Sequence, residues 1–184
     1  MEIEAKIKIT AAEAKALLVK VLELSVVSNN NVVETNSYYD LRGSILSKKG
    51  KTFRVRRTVY FSSDWKTEIA VSATVTIKGL IKKKHKFKAR PENNYFFLSD
   101  KAYDGITGFI EEVGFRHLIT YTKRRHIIRT KSLEICFDKL PKLGWFIEIE
   151  GDSASIESCL KHLGLDKRKT IKQGYHSLLK KGLS

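Results

Sequence analysis

Cysteine and proline are scarce in this sequence, and long apolar runs are missing from it. Two cysteines, Cys136 and Cys159, cannot build a disulfide framework, and neither has a metal-ligating neighbour at CxxC or CxxH spacing. Both are read as reduced thiols of a cytoplasmic protein. No stretch approaches the ~18 consecutive apolar residues of a membrane span. Glu2 and Glu4 stand where a secretion signal would place positive charge. Neither spanning nor secretion is expected. The only prolines are Pro91 and Pro141, and no Gly/Ser-rich linker, low-complexity tract or solenoid repeat divides the chain. Residues 1–184 are therefore expected to form one domain. Acids are outnumbered as well: 20 Asp and Glu face 35 Lys and Arg, a net charge of +15. Such a field draws nucleic acid, anionic membranes, nucleotides and polyphosphate alike, so the placement of the charges has to decide among them.

What is present begins with strict alternation. Ile3, Ala5, Ile7 and Ile9 oppose Glu2, Glu4, Lys6 and Lys8, the period of a half-buried strand. Thr10 with Glu13 forms a capping box that opens a helix through Ala14, Leu17, Leu18, Val21 and Leu22. A turn is expected at Asn29-Asn30-Asn31. Strand-rich segments follow at 32–40, 51–61, 68–79, 84–94, 115–130, 133–139 and 144–150. Helical patterns fall at 98–113, with Ser99 as N-cap, at 153–164, and from a second capping box, Thr170 with Gln173, through Tyr175 and Leu179. The sum is an α+β protein of antiparallel strands with helices outside.

Residues two apart on a strand share a side, and here nearly every strand has one charged and one apolar side. Glu2, Glu4 and Lys6 share one; so do Arg54 and Arg56; Thr74, Thr76 and Lys78; Lys86, Lys88, Arg90 and Glu92; Lys123 and Arg125; Glu134, Cys136 and Asp138; Glu148 and Glu150. Carboxylates two apart repel within ~7 Å unless a cation lies between them. A sheet closed with these sides inward gives an eight-stranded barrel whose lumen holds side chains or one small ligand. Inside would stand six acids (Glu2, Glu4, Glu92, Asp138, Glu148, Glu150) and seven bases (Lys6, Arg54, Arg56, Lys78, Arg90, Lys123, Arg125). Arg and Lys suit the oxygens of a triphosphate, and carboxylates suit hard divalent cations.

The ordered series Glu2-x-Glu4-x-Lys6, Tyr38-Tyr39-Asp40, Arg54-x-Arg56, Thr76-x-Lys78-Gly79, Arg90-x-Glu92, Lys123-x-Arg125, Asp138 and Leu143-Gly144-x-Phe146-x-Glu148-x-Glu150 resembles the CYTH superfamily, the triphosphate tunnel metalloenzymes, over nearly the whole chain. The resemblance implies an eight-stranded antiparallel β-barrel with a polar tunnel that binds triphosphate. It implies that Glu2, Glu4, Glu148 and Glu150, with Asp138 assisting, ligate Mg²⁺ or Mn²⁺. Lys6, Arg54, Arg56, Lys123 and Arg125, with Arg90, would grip the phosphate chain, and Lys78, with Tyr38, would help activate the attacking group. The chain departs from the family in Leu41-Arg42-Gly43 after the Tyr-x-Asp, in Asn94, and in Thr52, where thiamine-triphosphate-specific members carry Trp.

The expected function is metal-dependent hydrolysis of tripolyphosphate or a nucleoside triphosphate. The alternatives are a class IV adenylyl cyclase, making cyclic AMP and pyrophosphate from ATP, and a non-catalytic polyphosphate or nucleic-acid module resting on the run Lys82-Lys83-Lys84-His85-Lys86. Such a run more often discourages edge pairing of strands. A small triphosphate is thus the expected partner, and neither nucleic acid nor membrane is. The histidines are scattered and are read as surface or packing residues.

Overall fold

The alternation at the N-terminus becomes β1 (Glu2–Ile9) and the Thr10 capping box opens α1 (Ala11–Leu22), with both reciprocal bonds formed: Glu13 N donates to Thr10 Oγ1 at 3.1 Å and Thr10 N to Glu13 Oε2 at 2.7 Å. The computed structural model describes residues 1–82 and 85–181. It continues through β2 (Ser28–Leu41), α2 (Ile45–Lys48), β3 (Thr52–Phe61), β4 (Glu68–Lys78), β5 (Lys88–Arg90), β6 (Glu92–Phe97), α3 (Ala102–Glu112), β7 (Phe115–Arg129), β8 (Leu133–Leu140), β9 (Gly144–Gly151), α4 (Ser153–His162) and α5 (Tyr175–Lys181). No described helix is long and apolar enough to cross a membrane.

All pairs are antiparallel, in the order β5-β1-β9-β8-β7-β2-β3-β4-β6. The two end strands are neighbours in the chain, parted only by Pro91. β5 pairs with β1, setting Arg90 beside Glu2 and Lys88 beside Glu4, and β6 pairs with β4, setting Glu92 beside Lys78. The ring closes through that proline, so the eight expected strands become nine. Proline has no N–H for a ladder; the Pro91 carbonyl instead accepts from Gly79 N at 2.9 Å.

The core lies outside the ring. Ile7, Ile128, Ile135, Ile147 and Ile149 pack against Ala14, Leu17 and Val21 of α1 and Ile156, Cys159 and Leu160 of α4. On another flank, Tyr39, Phe53 and Val55 meet Ile110, Tyr103 and Ile106 of α3. Burying these apolar sides against helices leaves the charged sides to face one another, which is what makes the interior polar.

Four local expectations are corrected. Asn29–Asn31 belong to β2, because Asn31 Nδ2 donates to the carbonyls of Ser62 (3.1 Å) and Ser63 (2.9 Å) and holds the strand in its ladder. The cap of α3 is Lys101; Ser99 Oγ accepts the Lys101 N–H before the helix begins. The last helix starts at Tyr175, not Thr170, because Ile171 N donates to Lys6 O at 2.8 Å and draws that segment onto β1. The single turn α2 carried no periodic signal; buried Asp40 builds it, accepting from the N–H groups of Leu41, Leu46 and Ser47 and from Ser47 Oγ. Of the basic run, Lys83 and Lys84 lie outside the described residues.

Replacing Asp40 with Ala leaves those donors without their acceptor. A loss of about 1–3 kcal/mol is expected, read as a lower urea midpoint at unchanged slope.

Candidate functional site

The inward sides of the strands surround a cavity of about 320 Å³ lined by seven carboxylates and nine basic side chains among the described residues. Register places them. Glu4 stands opposite Glu150 and Lys6 opposite Glu148 on the β1–β9 ladder; Arg54 faces Tyr38 and Arg56 faces Asn36 on β2–β3.

One wall is acidic. Glu2, Glu4 and Glu150 each offer a carboxylate oxygen within 4.8 Å of the others. Burial, and then the charges of Glu4, Glu2 and Glu148, push the Glu150 carboxyl up to about 8, against the pull of Arg125. Buried Glu4 Oε1 accepts no aligned hydrogen bond, although Lys6 Nζ stands 3.0 Å away. Three converging carboxylates, with Glu4 Oε1 lacking an aligned donor and Glu150 crowded by its neighbours' charge, fit a hard divalent cation such as Mg²⁺ or Mn²⁺.

The other two expected ligands are engaged elsewhere. Asp138 is fully buried and does not line the cavity. Its oxygens accept from Lys123 (2.9 Å), from Arg125 at both Oδ1 (2.6 Å) and Oδ2 (2.7 Å), and from the Tyr175 hydroxyl (2.8 Å). Glu148 pairs with Lys6 at 3.0 Å and with Arg125. Burial disfavours the Glu148 anion, yet Lys6, Arg125 and Lys123 hold it well below the usual carboxylate range.

The basic residues divide the same way. Lys6 is held by Glu4, Glu148 and the Gln173 carbonyl, the last at 3.0 Å, with the Tyr175 ring 4.3 Å from Nζ. Burial works against its ammonium, but Glu148 and Glu4 outweigh that and raise it. Lys123 joins Asp138 and Glu34. The remaining cations have partners of their own. Lys78 bridges Glu2 (2.7 Å) and Glu92 (2.6 Å), and Arg90 reaches Glu2 at 3.3 Å. Arg54 donates to Thr76 at 3.0 Å, lies 4.0 Å from Glu92, and keeps its buried Nε without an acceptor. Arg56 donates to Asn36 and Glu34, each at 2.8 Å.

Tyr38 is buried beside these cations and stacks on His176 at 4.4 Å. Burial opposes its ionisation, but Arg54, a bond with Tyr121, Lys78 and Arg56 bring the hydroxyl below its ordinary value. Burial and the charge of Tyr38 push Tyr121 up. Tyr175 and the 171–176 segment floor this end of the tunnel. Elsewhere on the cavity wall Tyr60 packs on buried Val32, Ile127 and Cys136.

Glu34 escaped the sequence reading: it is buried between Arg56 and Lys123, and strand parity could have found it, because it shares a side with Tyr38. Lys88, read on a charged side with Arg90 but not counted among the inward bases, donates to Glu4 at 2.7 Å.

A search of the curated proteins returns no match. Among solved structures, the PH1819 protein of Pyrococcus horikoshii OT3 superposes with a TM-score of 0.77 at 22% identity, covering 99% of each chain. A proposed adenylate cyclase from Vibrio parahaemolyticus gives 0.70 at 19% identity, over 97% of each chain. HpAC1 of Hippeastrum, described as having a dominant triphosphatase activity, gives 0.69 at 15% identity, over 99% of this chain and 96% of its own. These likenesses establish the shared fold. The CYTH domain profile matches residues 1–175, more than nine-tenths of the sequence, and the chain belongs to the CYTH family.

Proposed function

We propose that the tunnel binds a triphosphate and, with a divalent cation, hydrolyses it. The observation that carries this reading is the meeting of two sets of charges in one cavity: the carboxylates Glu2, Glu4 and Glu150, and the cations Arg54, Arg56, Lys78 and Arg90, of which Lys78 and Arg90 touch Glu2. The first three would hold Mg²⁺ or Mn²⁺, which when bound supplies Lewis-acid polarisation and charge neutralisation. Lys78 and Arg90, now paired with Glu2, would turn to phosphate oxygens, as would Arg54 with its free Nε. Guanidinium groups take such oxygens two at a time, which orients the chain for in-line attack. Lys78, which bridges Glu2 and Glu92, would reach the attacking group, and the acidified Tyr38 hydroxyl is suited to passing a proton at the phosphate chain. Asp138, Glu148 and Lys6 keep Lys123 and Arg125 in place. The triphosphatase activity described for HpAC1 and the family membership support the reading.

Cyclisation of ATP is the second reading. It is favoured by Tyr60 and Ile127 on the cavity wall, whose apolar surfaces can take a nucleoside. Chromatography separates the two: free phosphate marks hydrolysis, and cyclic AMP with pyrophosphate marks cyclisation.

With Mg²⁺ or Mn²⁺, the protein is expected to release phosphate from tripolyphosphate or ATP, and Glu4→Ala or Lys78→Ala is expected to slow it by about 10²-fold or more. Equal rates in wild type and both variants would end the proposal.

Glu150 gives a second prediction. Its carboxyl is raised from 4.5 to about 8 in the fold, so without metal the stability it contributes is full at low pH and declines as pH rises between those values. A cation needs the ionised form. Mn²⁺ affinity is therefore expected to rise about tenfold per pH unit through the range below 8, with a proton released on binding. Calorimetry in buffers of different ionisation heat checks this; an unchanged heat across buffers refutes it.

A further inference from the structure

The tunnel's charges are nearly matched, so most of the net charge of +15 lies on the outer surface. Helices cover much of the outside of the ring, but one strip across β2, β7 and β8 is bare, with Thr122, Arg124 and Lys139 exposed. On it Arg124 of β7 stands directly opposite Lys139 of β8. Like charges in register across two strands are unfavourable. Inside the tunnel every such cation has a carboxylate. Among the described residues, the outer ion pairs Lys66–Asp64, Lys86–Glu157 and Arg168–Glu13 leave Arg124 and Lys139 out.

Both tryptophans of the chain flank this pair. The Arg124 guanidinium lies 5.7 Å from the Trp65 ring, and Lys139 Nζ lies 5.7 Å from the Trp145 ring. The four side chains form a row, aromatic, cation, cation, aromatic, drawn from the β3–β4 hairpin, β7, β8 and β9. Trp65 occupies its place with φ of 65°, a left-handed backbone that bulky residues rarely adopt, and its ring leans on Phe61 at 6.0 Å. A half-buried Trp in that conformation is held for its position, and the position it is given is beside Arg124.

We infer that this outer row is a binding site for single-stranded nucleic acid, distinct from the tunnel. Two unpaired cations about one strand spacing apart match neighbouring phosphates, and the flanking indoles offer faces on which unpaired bases stack. Inorganic polyphosphate would satisfy the cations and leave the indoles without a partner. A duplex would hide its bases from them.

The probe is a short 3′-labelled oligouridylate with a 5′-hydroxyl, which carries no triphosphate for the tunnel. Its binding is expected to quench the intrinsic tryptophan fluorescence and to weaken between ~50 and ~200 mM salt with a slope of about 0.7 per phosphate contact. Arg124→Glu with Lys139→Glu is expected to weaken binding at least about tenfold, and Trp65→Ala at least about fivefold, while phosphate release from tripolyphosphate is unchanged. Arg54→Ala, in the tunnel, leaves oligonucleotide binding as it was. Should the charge reversals fail to fold, Arg124→Gln and Lys139→Gln replace them with a smaller loss of about threefold each. The inference is overturned by absent binding at low salt, by equal binding in the outer-row variants, by equal weakening with Arg54→Ala, or by a duplex binding as tightly as the single strand.

Discussion

Three carboxylates brought within 4.8 Å of one another in a desolvated cavity are the interaction on which this structure turns. Negative charge so concentrated is tolerable only if something positive answers it. Every strand of the ring contributes to that answer or to holding it. Lys78, Lys88 and Arg90 reach directly to Glu2 and Glu4. Lys6 links Glu4 to Glu148. The barrel is thus a device for bringing distant parts of the sequence to one point, and its apolar exterior is the means by which the helices hold it closed.

Not all of the charge serves the same end. Asp138, with Tyr175, Lys123 and Arg125 on its two oxygens, is saturated and sealed. Such a group is costly to bury unless fully satisfied, and fully satisfied it fixes its partners rigidly. By contrast Arg54 keeps an unanswered Nε, and Glu4 an unaligned oxygen. The sealed part of the network acts as frame, while Arg54 and Glu4 carry atoms into the cavity that still lack a partner among the described residues.

Much of this could be read from residue order. Strand parity alone separates the inner from the outer set, because a strand's side chains alternate without exception unless a bulge intervenes; Glu2, Arg54, Arg56, Lys78 and Glu150 were found that way. Parity does not say which inner carboxylates neutralise one another. That depends on which strands become neighbours, so Glu148 and Asp138 could not be told from Glu150 before the β1–β9 and β7–β8 registers were known. The Asn29–Asn31 run misled because asparagine favours turns when its side chain bonds locally, whereas Asn31 bonds across to the β3–β4 hairpin. The Trp65, Arg124, Lys139 and Trp145 row had no linear signature at all, its members being scattered over 81 positions and joined only by the sheet.

The passage through Pro91 gives the ring one stitch that is shorter than the others. β5 holds β1 through three residue pairs only, while the ladders on the far side run to ten or more. Local opening in proteins begins where backbone bonds are few, so the barrel's slackest seam lies beside Glu2 and Glu4, and the wall where the carboxylates crowd is also the wall best able to breathe.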